Sequence, residues 1–324
     1  MEVISMTVQE ARRLYVIQQA LDRKIRQLKA SELLNLSLRH IRRLVKRVRE
    51  AGASGIVHRL RGKASNRKLP ESLREKILAL ARSRYRDFGP TLLSEKLQEE
   101  HKHHINRETL RQWLLKAGLW SQKRKHKRHH FWRQRKSCSG EMIQMDGSHH
   151  DWLEGRGPKL VLMALIDDAT NRIFARFYDY EGTLPAMDSF LRYARHFGLP
   201  QSVYVDRHTT YRSPGKLTIE DELLGRERLQ SQFERALSEL GVSVIFAYSP
   251  QAKGRVERLF GILQDRLVKE LRLIKACSLN EANGFLERYL IQHNRRFSLR
   301  ALNPTNLHRE LPNPPTLTHI LSIR

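Results

Sequence analysis

The chain has 324 residues, of which 60 are Lys or Arg and 34 are Asp or Glu, so its formal net charge is +26. Such an excess argues against an ordinary surface of mixed charges and indicates a polyanionic partner, with nucleic acid as the first candidate. No apolar stretch is long enough to span a bilayer, so a membrane partner is not expected. Two distant cysteines, Cys138 and Cys277, exclude a disulfide scaffold or a zinc finger and favour the cytoplasm.

Residues 1–60 predict a helical unit that binds DNA. Thr7 and Glu10 match a capping box, and "SLRHIRRLVKRVREAG" is a basic helix that Gly52 would end. Two helices followed by a basic third are typical of a helix-turn-helix domain, whose last helix enters the major groove. A solvated basic face on an ordinary bundle helix is the alternative. The predicted DNA-binding residues of this helix are Arg39, Arg42, Arg43 and Lys46.

Residues 61–120 predict a second helical unit, a further helix-turn-helix candidate. Pro90 marks a helix start, Asn106 is a candidate cap and Gly118 is a candidate stop. Residues 121–138 follow as a basic linker, and its run "SQKRKHKRHHFWRQRK" contains no acid and is too charged to pack. We expect this linker to follow DNA phosphates. Its predicted DNA-binding residues are Lys123, Arg124, Lys125, Lys127 and Arg128.

From residue 139 onward the sequence alternates between predicted strands and helices. The predicted order is three strands, then a helix, a strand, a helix, a strand and two helices. This order indicates an α/β domain with a mixed sheet flanked by helices, which we place at residues 139–300. Residues 301–324 are expected to form a short carboxy-terminal tail that is truncated relative to a longer protein.

Three acids stand at the ends of predicted core elements. Asp146 follows the apolar run in "EMIQMDG", Asp206 ends "VYVD", and Glu257 lies early in the helix "AKGRVERLFGILQDRLVKELRL". A buried carboxylate is costly unless it is paired or used. Mg²⁺ prefers carboxylate and phosphate oxygens, and two such ions can serve both the attacking and the leaving oxygen of phosphoryl transfer. We therefore predict that these three acids are catalytic residues and metal ligands.

Other residues near these acids leave alternatives open. For each acid alone, a turn former or a solvated surface charge is the competing interpretation. Asp167 and Asp168 are rival acids in a hairpin turn, where Asp is favoured for backbone reasons, so we interpret them as structural. His149 and His150 are either DNA contacts, neighbours of a metal, or simple loop residues. Lys253 and Arg255, beside Glu257, are predicted to bind DNA.

Three segments carry a resemblance to a known family. "QMDGS", "SVYVDRHTTY" and "YSPQAKGRVERLFG" resemble the three blocks of the DDE integrase-like core of bacterial insertion-sequence transposases. "MDGSHHDWLEGRGP" and "LIDDATNRI" make the ISNCY group the closest resemblance, over roughly residues 10 to 310. The resemblance implies an RNase H-like core, preceded here by all-α helix-turn-helix units. It also implies two Mg²⁺ or Mn²⁺ ions, with the catalytic trio at Asp146, Asp206 and Glu257.

The same resemblance implies a function. A transposase of this kind nicks DNA at transposon ends and transfers the strands to target DNA, as a homo-oligomer assembled on DNA in the bacterial nucleoid. A DNA-binding regulator with an inert or truncated core is the alternative, and a structure-specific RNase H-like nuclease is a third interpretation. Nicking at DNA ends that depends on a divalent metal would distinguish a transposase from a regulator. A need for particular end sequences would distinguish a transposase from a structure-specific nuclease.

Overall fold

The structure is a computed structural model that describes residues 5–58, 61–62, 68–121, 133–213, 229–247 and 254–323. Contacts between residues divide the chain after Ile77 into two compact units. The domain limits at residues 60, 120, 138 and 300 remain predictions. In the described ranges, no helix combines the length and the apolar character needed to cross a bilayer.

The first compact unit is helical in its described part up to residue 62. Its helices are α1 Val8–Leu21, α2 Gln27–Leu34 and α3 Leu38–Ala51, followed by a short 3-10 helix, Gly52–Ile56. Thr7 and Glu10 form the expected capping box, in which each side chain accepts from the other residue's backbone N–H. The apolar faces of the helices meet in one buried cluster of Val16, Ile17, Ala30, Ile41, Leu44, Val45, Val48 and Ile56.

Helix α3 presents its cations to solvent. The side chain of Ser37 caps its first turn by accepting from the backbone N–H of His40, and Gly52, with a φ of +60°, ends the helix. Because the apolar stripe of α3 packs inward, the residues on its other faces are exposed. The exposed cations include Arg39, Arg42, Arg43 and Lys46.

Three more helices precede the sheet. They are α4 Glu71–Ser83, which crosses the division after Ile77, α5 Pro90–His101 and α6 Arg107–Lys116. Pro90 is the first residue of α5, where its missing N–H would have no helical partner in any case. Asn106 caps α6 by accepting from the backbone N–H of Glu108. Helices α5 and α6 contact each other, and their most buried leucines are Leu93, Leu97, Leu110 and Leu114.

A five-stranded mixed sheet forms the centre of the second unit. After a short strand β1, Cys138–Ser139, its strands are β2 Ile143–His150, β3 Leu160–Asp167, β4 Ile173–Tyr178, β5 Ser202–Val205 and β6 Ser243–Phe246. They lie in the order β4-β3-β2-β5-β6. Strand β3 is antiparallel to both of its neighbours, whereas β2, β5 and β6 are parallel to one another.

Helices cover both faces of this sheet. They are α7 Thr183–Phe197, α8 Gln232–Glu239, α9 Gly254–Leu273 and α10 Leu279–Phe297. On one face, Ile143 and Met145 of β2 pack in a cluster with Phe190 of α7 and Phe233 of α8. On the other face, a second cluster joins β3 to α9 and α10 through residues such as Leu162, Ala164, Val256, Leu263 and Leu286. The predicted order of elements and the RNase H-like core are thus confirmed.

The last residues pack on the core. Strand β1 pairs in parallel with β7, Asn303–Asn306, and helix α11, Pro314–Ile320, follows. Leu317 and Ile320 are buried in the cluster that also contains α7 and α8. Residues 301–324, which the sequence predicts as a short tail, thus contribute two buried apolar residues, one helical turn apart, to this cluster.

Ion pairs attach α5 to the core. Lys96 Nζ lies 2.8 Å from Glu270 Oε2 on α9, and only 10% and 11% of the two side chains are exposed. Glu95 accepts hydrogen bonds at 2.6 Å from Arg266 on α9 and at 2.6 Å from Arg296 on α10. Because buried charges are tolerated only when they are paired, these contacts hold α5 in one position against the two core helices.

The Lys96–Glu270 pair gives a test of this attachment. Lys96→Met would leave Glu270 buried without its cation, so we expect the free energy of unfolding to fall by about 3 kcal/mol. Lys269→Met is a matched control on α9, because this lysine is equally buried but its partner Asp265 is 61% exposed. The free energy of unfolding of this control variant should fall by less than about 1 kcal/mol. Urea denaturation followed by tryptophan fluorescence measures both, and equal losses would contradict the prediction.

Candidate active site

Asp146 lies in β2, and Asp206 directly follows β5, the strand that pairs with β2 in parallel. Strand β2 pairs with β5 through Gln144 opposite Tyr204. The same offset, continued along the two strands, places Asp206 opposite Asp146. Adjacent strands in a sheet lie about 4.8 Å apart, so this register, continued beyond Tyr204, would bring the two predicted acids close together.

Asp146 also faces helix α9. Residues 144, 146 and 148 share one face of β2, because side chains alternate along a strand. The side chain of Gln144 accepts from the backbone N–H of Val256 at 3.3 Å, and the hydroxyl of Ser148 accepts from the amide of Gln264 at 3.2 Å. Asp146 therefore lies between two contacts that β2 makes with α9.

Glu257 lies in the first turn of α9, with its side chain exposed. It precedes Gln264 by about two helical turns, so the two residues share the side of α9 that meets β2. In the ranges that the structure describes, however, no three His, Cys, Asp or Glu side chains are grouped closely enough to hold a metal ion. The three predicted acids thus do not form such a group among the described residues, and their catalytic role remains a prediction. Residues 248–253, just before α9, are outside the described ranges.

The two aspartates are chemically suited to a divalent cation. Both side chains are half-buried, and carboxylate oxygens are the ligands that Mg²⁺ prefers. Burial, together with the negative charges of Glu181, Asp146 and Asp206, raises the pKa of the buried Tyr211 hydroxyl well above its usual range. Negative charge is therefore concentrated at this point of the sheet, as a site for a hard cation requires.

A buried carboxylate, Asp168, connects this site to the rest of the core. It accepts hydrogen bonds from Arg255 Nη1 at 2.8 Å and from Gln144 Nε2 at 2.9 Å. The backbone N–H of Lys136 donates at 2.8 Å, and the guanidinium of Arg133 donates as well. Two cations and two further donors thus satisfy the hydrogen-bonding capacity of this buried carboxylate.

The Asp168 network fixes the start of α9. Gln144 donates to Asp168 with its amide nitrogen and accepts from the backbone N–H of Val256 with its amide oxygen. Arg255, the residue before Val256, donates to the same carboxylate. Because these two residues immediately precede Glu257, Asp168 determines where that acid lies relative to β2.

Asp167 and Asp168 differ in role although they are adjacent. Asp167 is the expected turn residue: its carboxylate accepts from the backbone N–H and the hydroxyl of Thr170 at 2.7 and 2.8 Å, and from the N–H of Gly140 at 2.7 Å. No local pattern in the sequence indicates that Asp168 is the centre of a hydrogen-bond network. Its donors lie 24 or more positions away along the chain, so no local pattern indicates them.

The predicted DNA-binding cations fall into three groups. Those of α3 are exposed to solvent, as a DNA-contacting helix requires. Arg255 instead points to the interior, where only 9% of its side chain is exposed and burial lowers its pKa, so the structure gives it a place in the core. The residues outside the described ranges are Lys123, Arg124, Lys125, Lys127, Arg128 and Lys253.

Comparisons with known proteins find one domain model and two relatives. A family model described as a homeodomain-like domain matches residues 40–114. The chain is 38% identical over 316 residues to a protein of Sinorhizobium fredii named as a candidate transposase, covering 97% of this chain and 68% of that protein. It is 32% identical over 331 residues to the transposase for insertion sequence IS1202 of Streptococcus pneumoniae, covering 89% of this chain and 68% of that protein.

Solved structures with a similar fold include retroviral integrases. One is a simian T-cell lymphotropic virus intasome in complex with the PP2A regulatory subunit B56 gamma, with 18% identity, a TM-score of 0.39, and coverage of 74% of this chain and 76% of that chain. Another is the HTLV-2 integrase catalytic core domain in complex with magnesium, with 19% identity, a TM-score of 0.35, and coverage of 51% and 90%. At such low TM-scores the likeness says nothing about the chemistry of this chain.

Asp168→Asn tests the network that holds α9. The change keeps the size of the side chain but removes its charge, which leaves the buried Arg255 without an anion, so we expect a loss of about 3 kcal/mol in the free energy of unfolding. Asp188→Asn is the matched control, since Asp188 also pairs with an arginine, Arg192 at 2.8 Å, but is 38% exposed. Its loss should stay below about 1 kcal/mol. Chemical denaturation at neutral pH compares the two, and a similar loss in both variants would argue against the network.

Proposed function

Because the chain belongs to the transposase family of these two relatives, we propose that it binds the ends of an insertion sequence and catalyses Mg²⁺-dependent DNA cleavage and strand transfer. In this proposal Asp146, Asp206 and Glu257 are the catalytic residues. The observation that supports it is the parallel pairing of β2 with β5, which, continued by two residues, would set Asp146 beside Asp206, while β2 also contacts α9.

In the proposed site, the three carboxylates would hold two Mg²⁺ ions. Such ions, when bound, activate an attacking oxygen and stabilise a leaving oxygen during phosphoryl transfer. The protein itself positions the ligands. The ladder between β2 and β5, if it continues in the same register, would set the separation of the two aspartates, and the Asp168 network holds the start of α9. Accurate positions matter, because a displacement of about 1 Å can cost roughly 100-fold in rate.

DNA binding is the second part of the proposal. The match to a homeodomain-like domain and the exposed cations of α3 support binding of this helix in the major groove. The basic run between residues 121 and 138 would contact phosphates of the same DNA. We further propose that the chain assembles as a homo-oligomer on the transposon ends and target DNA, in the nucleoid of a bacterium.

One observation favours a second candidate function. Glu257 is exposed, and no group of three potential metal ligands exists among the described residues. A DNA-binding regulator that retains a transposase core without its activity would have the same features. The two functions differ in one measurable property, which is divalent-metal-dependent cleavage of the DNA that flanks the chain's own gene.

The amide variants Asp146→Asn, Asp206→Asn and Glu257→Gln test the catalytic trio. We expect each to lower cleavage and joining of this flanking DNA by more than about 100-fold, and by similar factors, because residues that act as a unit are not additive. Binding of the same DNA, measured by gel mobility shift, should persist. Asp188→Asn, the same kind of change on α7, should keep full activity.

Two outcomes of this experiment would change the proposal. A Glu257→Gln protein that cleaves at close to the wild-type rate would remove Glu257 from the site. An unaltered chain that binds the flanking DNA but does not cleave it with Mg²⁺ or Mn²⁺ would favour the regulator.

The two basic regions should respond differently to substitution. Arg42→Ala or Arg43→Ala should relax sequence preference by about 1–3 kcal/mol, the value of a bidentate contact to a base. Replacing Lys123 and Lys125 with glutamine should weaken binding to all sequences alike and reduce the salt slope by about one unit per lost phosphate contact. Titrations of specific and scrambled duplexes at several salt concentrations separate the two effects. If no change in α3 alters the preference, α3 is not the reading helix.

A further inference from the structure

A fourth carboxylate, Glu181, lies beside the proposed catalytic acids. It follows β4 and precedes α7, and only 16% of its side chain is exposed. Its carboxylate packs directly on the backbone of Gly147, the residue after Asp146. A Cβ atom at position 147 would lie 2.7 Å from Glu181 Oε1 and 2.9 Å from Oε2. Glycine at this position therefore leaves the space that the carboxylate occupies.

A buried tyrosine supports this placement of Glu181. The hydroxyl of Tyr211 is fully buried and has no hydrogen-bond partner among the described residues, a state that costs about 1–3 kcal/mol. The charges of Glu181, Asp146 and Asp206 all act on this hydroxyl. Glu181 thus belongs to the same concentration of negative charge as the two aspartates.

The carboxylate of Glu181 also contacts the imidazole of His149. Glu181 Oε2 lies 2.7 Å from Nε2 of His149, whose own side chain is 69% exposed. His149 stands two residues after Gly147, on the same face of β2. The carboxylate is therefore the inner member of the pair, and the imidazole is the member that solvent and ligands can reach.

The imidazole opens into a groove that also reaches His208, two residues after Asp206. The groove has a volume of about 710 Å³, and its lining includes His149, His150, Lys159, Tyr180, Glu181 and His208. His208 donates its backbone N–H to the carboxylate of Asp206 at 3.0 Å. The groove therefore lies next to Asp206, and a strand of DNA that reaches this carboxylate can pass along the groove.

We propose that Glu181 is a positioning residue, and that it orients His149 to contact a phosphate of the DNA strand that enters this groove. The identity of the ligand as DNA rests on the proposed function. A phosphate that approaches three carboxylates needs a donor between the negative charges. An imidazolium has an N–H on each nitrogen, so one can donate to Glu181 while the other donates to a phosphate oxygen.

The test measures coupling between His149 and single phosphates. The probe is a duplex from the DNA flanking the gene, with one phosphate at a time replaced by a neutral methylphosphonate, and binding is measured by competition in Ca²⁺. His149→Ala should weaken binding of the unmodified duplex by about fivefold to tenfold, as expected for one charge-assisted hydrogen bond. At one phosphate position, the methylphosphonate should weaken binding by the unaltered chain and have no effect on His149→Ala.

Two further variants test whether Glu181 acts through His149. Glu181→Gln should weaken binding about threefold, and it should have no effect when His149 is already alanine. Gly147→Ala should behave like Glu181→Gln, because the new methyl group displaces the carboxylate. His319→Ala, which changes an exposed histidine on α11, is the control and should bind like the unaltered chain. Melting temperatures of all variants establish that each is folded.

The outcomes separate this inference from the proposed function. Additive losses in the Glu181→Gln/His149→Ala double variant, or no phosphate coupled to His149, would overturn the inference even if the chain cleaves DNA. Coupling at one phosphate in a chain that binds but does not cleave would support the inference and contradict the proposed catalysis.

Discussion

One buried negative charge organises the side of the sheet on which β2 meets α9. Asp168 is removed from water, and a carboxylate can remain ionised there only if donors surround it. The donors come from the end of the basic linker, from the central strand and from the start of α9. Three segments that are distant in sequence must therefore meet at one point before the charge is satisfied. The position of Glu257, in the first turn of α9, is a consequence of that requirement.

The sheet contributes a different kind of order. Parallel pairing of β2 with β5 is specified by side chains that are buried on both faces, and a slip of one residue would turn each of them to the wrong face. The register that buries Ile143 and Val203, continued along both strands, would also set Asp146 level with Asp206. Packing and chemistry thus depend on the same alignment. The proposed site needs no additional device to hold its two aspartates in place.

Local patterns in the sequence predict the helices and strands, whereas contacts between residues that are distant in the chain could not be predicted. The capping box at Thr7, the cap at Asn106 and the stripe along α9 each depend on neighbours within a few residues, and the structure has all three. The roles of Asp168, Arg255 and Glu181 depend on partners far away in the chain. An isolated charged residue looks the same in sequence whether water or another charge will surround it. For the same reason the packing of α11 on the core was not predicted.

The attachment of α5 to the core has a consequence for where bound DNA would lie relative to the proposed catalytic carboxylates. Helix α6 packs on α5, and α5 is held against α9 and α10 by paired charges that are largely shielded from solvent. Residues 90–116 are therefore held at a fixed distance from the part of the sheet that carries Asp146. Any DNA bound by α6 would lie at a constant number of base pairs from the carboxylates. The cutting position relative to that contact would then be set by the body of the protein, and the length of the basic linker would not affect it.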